Sequence, residues 1–381
     1  MKRPGEIVRT LGLACLAATL ALPAATALEA AAEGDWTSFR GDPQLSGRAA
    51  SDLPAELEQL WSFQADDAFE ATAAIAGGRV YAASLDGRLY ALDLADGKLL
   101  WSYETGEEIK SSPLVVGDRI YFGDEYGRLH AVDAATGKRV WLFEAEGPIS
   151  ASPTAAGGCI LAGAYDNRLY CLDPDSGEPR WQVETEGYVN ATASIWRQRA
   201  VISGCDGYLR AVGLEDGAQT APLELGGYVG ASAAVDGDMA FVGTFESEVR
   251  AIDLASGETV WIYRNEERSF PFYSSPALAG DRVVIGGRDK LLHAIDRKTG
   301  EGLWTYTTQG QINASPVIVG KRVFAAAADG TLFAVDLASG KELWAFDAGS
   351  GFEASPAVGR ERLVIGTVDG TLFCFGQGTA D

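Results

Sequence analysis

This chain of 381 residues predicts an all-β fold, an eight-bladed β-propeller of four-stranded antiparallel blades, and three observations carry the prediction. A tryptophan recurs every 40 residues, a glycine turn precedes it, and a phrase centred on Ser or Thr follows it. Composition agrees, since 46 glycines supply turns and a chain 47% hydrophobic and 22% charged is globular.

The amino terminus comes first. Lys2, Arg3 and Arg9 precede an apolar run from Leu11 to Leu22, then Pro23 and the small residues Ala25 to Ala27. That is the build of a secretory signal peptide over residues 1–27, cleaved after Ala27. The run is too short for a membrane span, which takes roughly 20 apolar residues, and no later segment supplies one. Cys15 follows only the brief apolar stretch Leu11 to Ala14, so a lipid anchor is not expected. The protein is therefore read as exported, periplasmic or associated with the cell envelope. Three cations and Glu6 leave with the signal, which takes the net charge from -22 to about -24 (-22 minus +2). Such a field repels polyphosphate and anionic lipid, which excludes nucleic-acid partners. Two histidines in the whole chain leave little material for histidine chemistry.

Residues 28–56 read as an arm over the surface, 57–376 as the propeller and 377–381 as a carboxy-terminal tail. Trp61, Trp101, Trp141 and Trp181 stand 40 apart, the series resumes at Trp261, Trp304 and Trp344, and the missing member falls on Ala221. Each Trp closes a phrase such as Ala131, Asp133, Thr136, Gly137, Trp141. The glycine permits a positive φ between third and fourth strands, and the residue before it bonds the turn. A large ring once per blade packs between neighbouring blades, and the small column Ala91, Ala131, Ala211, Ala251, Ala294, Ala334 leaves it room. After each Trp comes the second phrase, as in Ser111-Ser112-Pro113 or Ala314-Ser315-Pro316, with Ser or Thr central in all eight copies. Eight strand triplets begin near Phe69, Ile109, Ile149, Val189, Val229, Phe272, Ile312 and Phe352. The last lacks an outer strand, and Leu57 to Gln64 supplies one, closing a monomeric ring without long free edges. Cys171 and Cys374 fall in the Ala column, and Cys159 is read as facing away from Cys171, so no intrachain disulfide is expected.

The phrase Ala131 to Trp141 and its copies resemble the tryptophan-docking repeat of the quinoprotein, or PQQ-like, β-propellers, over nearly the whole mature chain. The stretch Asp35-Trp36-Thr37-Ser38-Phe39-Arg40-Gly41-Asp42, with Leu53-Pro54 and Leu60-Trp61, is similar to the opening segment of that superfamily. The resemblance implies one of two functions, because the repeat builds both PQQ-dependent alcohol dehydrogenases and non-catalytic scaffolds, the BamB-like branch. Quinoprotein enzymes carry calcium in the funnel, long insertions and often a vicinal disulfide, whereas this chain has no adjacent cysteines and blade spacings of 40 except one of 43. The leading reading is a non-catalytic envelope scaffold that binds protein partners, possible setting outer-membrane protein assembly, with no cofactor and no catalytic residue. The alternatives are a small PQQ-dependent dehydrogenase of alcohols or sugars with Ca²⁺ in the central funnel, and an extracellular carbohydrate- or peptide-binding propeller.

Irregular positions mark the candidate sites. The residue before each Ser/Thr phrase is the most variable polar column: Glu70, Lys110, Ser150, Asn190, Gly230, Tyr273, Asn313 and Glu353. It is placed at one mouth of the central channel. Glu70, Asn313 and Glu353 fall on one arc and offer oxygen ligands to a hard cation such as Ca²⁺. The three-residue insertion between Trp261 and Trp304 sets Arg264, Arg268 and Phe270 on a longer loop of the same face, and aromatic and Arg side chains anchor protein interfaces. His130 and His293 stand in a column with Tyr90 and Tyr170, as packing residues. Blade 4 lacks the Trp at Ala221 but has Trp196, read either as filling that vacancy or as an exposed docking ring.

Overall fold

The computed structural model describes Met1 and residues 34–378; the signal-peptide and lipidation readings on residues 1–27 lie outside the described residues. The described residues form 32 strands in eight four-stranded antiparallel sheets arranged as a ring. No helix among them is long and apolar enough to cross a membrane. Blade 1 consists of Ala74–Ala76, Arg79–Ala83, Arg88–Asp93 and Leu99–Glu104 from the inside outward, and blades 2 to 7 repeat it from Leu114, Thr154, Ser194, Ala234, Ala277 and Val317. Blade 8 has Ala357–Gly359, Arg362–Gly366 and Thr371–Gly376, with Glu58–Gln64 as its outer strand. That strand runs antiparallel to Thr371–Gly376 with Trp61 opposite Cys374, so both ends of the ring share one sheet.

The inner strands start later than the sequence implies. Phe69, Ile109 and their counterparts lie in the crossings between blades, fully buried, where the Phe69 N–H bonds Thr367 O at 3.0 Å. Their hydrophobicity serves the junction rather than a strand. Tyr81, Ile109, Ile120 and Phe122 belong to one such core cluster between blades 1 and 2.

The junctions use ties at two radii. On the outside, Trp101 sits opposite Ala91 in its own blade and donates its indole N–H to Ala134 O of the next at 3.3 Å. Trp61 reaches Leu94 O at 2.9 Å and Trp141 reaches Pro174 O at 3.0 Å in the same way. The turn glycine has two jobs: Gly97 holds φ +71, and a Cβ there would lie 2.6 Å from the Trp61 ring. On the inside, the Ser/Thr column forms a belt. Thr72 N–H donates to Ser112 Oγ, Ser112 to Ser152, Ser152 to Thr192, Thr192 to Ser232, Ser232 to Ser275, Ser275 to Ser315 and Ser315 to Ser355, all at 2.8–3.1 Å.

The arm is a plug rather than a surface strap. Inner strands are edge strands whose free N–H groups need partners. Residues 34–51 supply carbonyls as they circle once inside the ring. Ile75 N–H bonds Trp36 O, Val115 bonds Thr37, Ile195 bonds Pro43, Val235 bonds Gln44, Leu278 bonds Ser46, Ile318 bonds Gly47 and Arg360 bonds Gly34, at 2.7–2.9 Å. Trp36, Arg40 and Leu45 are each 1% exposed. Burial pulls the Arg40 guanidinium down to about 9 against the opposing pull of Asp42. It donates to Pro276 O at 3.1 Å, while its Nε and Nη1 find no acceptor. Phe39 points up from the plug as the channel floor.

One expectation is overturned: Cys159 and Cys171 form a disulfide, with Cα atoms 5.3 Å apart. Antiparallel register sets Leu161 opposite Cys171, so Cys159, two residues along that strand, shares the face of Cys171 and lies diagonal to it. Cys205 and Cys374 are free thiols; burial pushes Cys374 up to about 12.

Ser275→Ala leaves the buried Ser232 N–H without its acceptor and should cost about 1–3 kcal/mol in urea unfolding, with Ser275→Thr restoring most of it. Cys159→Ser should lower stability by about 2–3 kcal/mol, the value for a loop of this size, and reducing agent should bring the wild type to the same midpoint.

Candidate functional site

The polar column converges as expected. Each member directly precedes its Ser/Thr phrase, where the chain drops from a crossing into an inner strand. All eight, from Glu70 to Glu353, line one cavity of about 190 Å³ with the hydroxyl belt beneath and Phe39 at the floor. Asn313 Nδ2 donates to both carboxylate oxygens of Glu353 at 3.1 Å, and its Oδ1 accepts from Arg288 Nε at 3.1 Å. Arg288 in turn covers the Tyr273 ring, 3.4 Å from its centroid. Lys110 lies 3.4 Å from Glu108 and 3.5 Å from Glu125, which also accepts from Ser150 Oγ at 2.6 Å. Burial raises the Glu70 carboxyl, with Lys110 opposing and Glu353 adding to the rise. Lys110 is itself raised, because the carboxylates of Glu125 and Glu108 outweigh its burial. Asn190 Oδ1 is buried without a partner.

Arg288 and Glu125 escaped the sequence reading. They belong to a second variable column, Leu85, Glu125, Tyr165, Cys205, Phe245, Arg288, Ala328 and Val368, one residue into the turn between second and third strands. Each backbone N–H of this column bonds a carbonyl of the neighbouring crossing, as Glu125 does to Glu108 O at 3.0 Å, which holds it beside the mouth. The register of that turn was legible; its closeness to the channel was not.

The insertion loop is more tied down than its composition implies. Arg264 pairs with the buried Glu248, which also holds Arg250 at 2.6 Å. Arg268 donates to Asp289 O at 2.9 Å, and Asn265 to Asp289 Oδ2 at 3.0 Å. Phe272 is buried; Phe270 is exposed. It is not alone, for Tyr126, Tyr188 and Tyr228 are exposed on loops of the same face. Tyr188 stacks on Tyr165 at 4.9 Å, and Phe245 meets Tyr273 edge-on at 4.5 Å, so an aromatic arc runs from blade 2 to blade 6 along one side of the mouth.

The model of the family described as outer membrane protein assembly factor BamB matches residues 54–125, 113–239 and 245–379. The chain belongs to this family. Among solved structures, BamB from Moraxella catarrhalis is 20% identical, with a TM-score of 0.73 over 84% of this chain and 100% of that one. The quinohemoprotein alcohol dehydrogenase from Comamonas testosteroni is 14% identical, with a TM-score of 0.78 over 92% of this chain and 82% of that one. A europium-containing methanol dehydrogenase is 14% identical, with a TM-score of 0.75 over 91% and 98%. A search of curated proteins finds no match. At these identities the structures share the fold.

Within this BamB-family ring the histidines follow a blade rule. Asp86 accepts from Tyr90 Oη at 2.5 Å and Asp166 from Tyr170 Oη at 2.5 Å. At the same ring position in blade 2, His130 Nε2 bonds a carboxylate two residues earlier in the turn, Asp124 Oδ2, at 2.9 Å, and its Nδ1 meets Tyr103 Oη at 3.1 Å. His293 in blade 6 instead takes Asp289, at the Asp86 position, and Tyr263. Burial holds His130 below its ordinary value of 6.5, although Asp124 pulls the other way. Asp124 is lowered because bonds from His130 and the Arg128 backbone outweigh its burial.

Both shifts have the same sign. The unfolded chain takes up the proton first, so stability is present above pH 6.5 and drains as pH falls below it through His130, then further below the ordinary carboxylate range through Asp124. The urea midpoint should drop between pH 7.5 and 5.5. His130→Tyr, which puts the ring of blades 1 and 3 in place of the imidazole, should show a smaller drop.

Proposed function

We propose that this propeller is a non-catalytic scaffold of the cell envelope that binds protein partners with its channel-mouth face, in outer-membrane protein assembly. The observation that carries this reading is the exposed aromatic arc of Tyr126, Tyr188, Tyr228 and Phe270. Rigid aromatics on short, hydrogen-bonded loops offer contact area at low entropic cost, and such side chains dominate interfaces. Family membership supports the setting, and the signal-type amino terminus supports export.

The residues at the mouth do not fit a calcium-bound quinone. Ca²⁺ takes six to eight oxygen ligands. Here Glu70 and Glu353 share the opening with Lys110 and Arg288, and the Asn313 amide is spent bridging Arg288 to Glu353. No tryptophan among the described residues lines the cavity to carry a planar ring.

Photo-crosslinking in cells tests the scaffold. A photoreactive phenylalanine at Tyr228 or Phe270 should capture a discrete component of outer-membrane assembly, whereas one at the exposed outer-strand residue Val260 should not. The triple variant Tyr188→Ser, Tyr228→Ser, Phe270→Ser should keep its melting temperature and lose the partner. Undiminished partner binding by that variant, or saturable pyrroloquinoline quinone binding in Ca²⁺ with dye-linked alcohol oxidation, would overturn the reading.

A further inference from the structure

Six junctions of this ring bond an indole in the same way, and one is built for it without holding it. The indole N–H reaches a carbonyl 33 residues on, as Trp61 to Leu94, Trp181 to Leu214 at 3.0 Å and Trp304 to Leu337 at 3.1 Å; across the insertion Trp261 reaches Arg297 at 3.0 Å. Between blades 4 and 5 the ring position is Ala221, and the matching acceptor is the carbonyl of Leu254, which takes no hydrogen bond from any described residue. Pro222 has no N–H for the ladder, and the outer strand of blade 4 shrinks to Leu223–Glu224.

What remains is an open cleft of about 350 Å³, walled by Trp196, Leu209, Ala211, Ala221, Leu223 and Leu254. The turn glycine is retained. Gly257 holds φ +77, and only Leu223 approaches its face, whereas Gly217 and Gly300 are covered by the Trp181 and Trp261 rings. Trp196 does not fill the gap. It is 7% exposed, a wall of the cleft, with its N–H given to Asp238 Oδ1 at 2.8 Å in blade 5. Arg199, Arg210 and Thr220 add a polar side to this lining.

We propose that this cleft is a receptor for the indole side chain of a tryptophan carried by a second polypeptide, completing the series of docked rings. The six junctions with a bonded indole define the occupant: a flat ring against the turn glycine with one N–H toward the carbonyl. The cleft lies among the turns on the plug side of the ring, away from the aromatic arc, so it stands or falls independently of the mouth.

The test is a titration of the isotope-labelled mature chain with N-acetyl-L-tryptophanamide, read by NMR. The amides of Leu223, Leu254 and Gly257 should shift saturably, and N-acetyl-L-leucinamide should leave them in place. Ala221→Trp should fill the site, raise the melting temperature and weaken binding by about tenfold or more, a difference of roughly 1.4 kcal/mol or more. Should that variant not fold, contacts between the indole protons and the Leu223 and Leu254 methyl groups of the wild type decide the matter. Lack of saturation, shifts scattered elsewhere, an equal response to the leucine probe or undiminished binding by a folded Ala221→Trp would overturn the proposal. Binding of bare indole with exclusion of the capped amino acid would overturn the polypeptide source.

Discussion

The ring depends on the backbone N–H that each blade hands to a hydroxyl of the next. Seven such bonds join the Ser/Thr column from Thr72 to Ser355. A hydroxyl is a compact side-chain acceptor for this bond, and Ser111, beside the belt in its phrase, adds a further tie by donating its Oγ to Ala151 O at 3.1 Å. The belt fixes the spacing of the blades at the axis, and the tryptophans fix it at the rim. A blade anchored at both radii can neither slide nor tilt without breaking a buried polar contact, and a group left unpaired there costs more than the bond contributes.

The periodic parts of this design are legible in sequence because each repeats a chemistry. Tryptophan, turn glycine, Ala column and hydroxyl column each recur at 40 residues, and they yield the blade number, the strand order and the closure by the amino-terminal strand. The arm was not legible as a plug. It meets seven blades through backbone carbonyls, which carry no side-chain signature. The disulfide was missed through register: two positions apart on one strand means the same face, and the pleat sets Cys159 diagonal to Cys171. The mouth was half legible, since one variable column announced itself while Arg288 and Glu125 arrive from a turn more than a dozen residues downstream.

Charge at the mouth has a local logic that net charge conceals. The chain is strongly acidic, yet its channel opening interleaves Lys110 and Arg288 with Glu70, Glu353 and Glu125, each cation set against a carboxylate or amide. Near the same face a turn Asp takes the donor each ring offers, a tyrosine hydroxyl in blades 1 and 3 and a histidine in blades 2 and 6. Polar groups here hold loops in place. The aromatic arc beside them owes its rigidity to that fixation.

The plug also dictates an order of assembly. Residues 34–51 are made before every blade, but the partners of their carbonyls are spread from Ile75 to Arg360, and Glu58–Gln64 waits for the last strand of all. Blades are local and can form as they emerge. The arm must stay unlocked until they exist, held out of the ring or threaded loosely through it. Its contacts span nearly the full sequence, which makes the final step one of high contact order, slow relative to each hairpin. Opening the finished ring requires the same step in reverse, so one non-repeating segment sets how long the molecule persists.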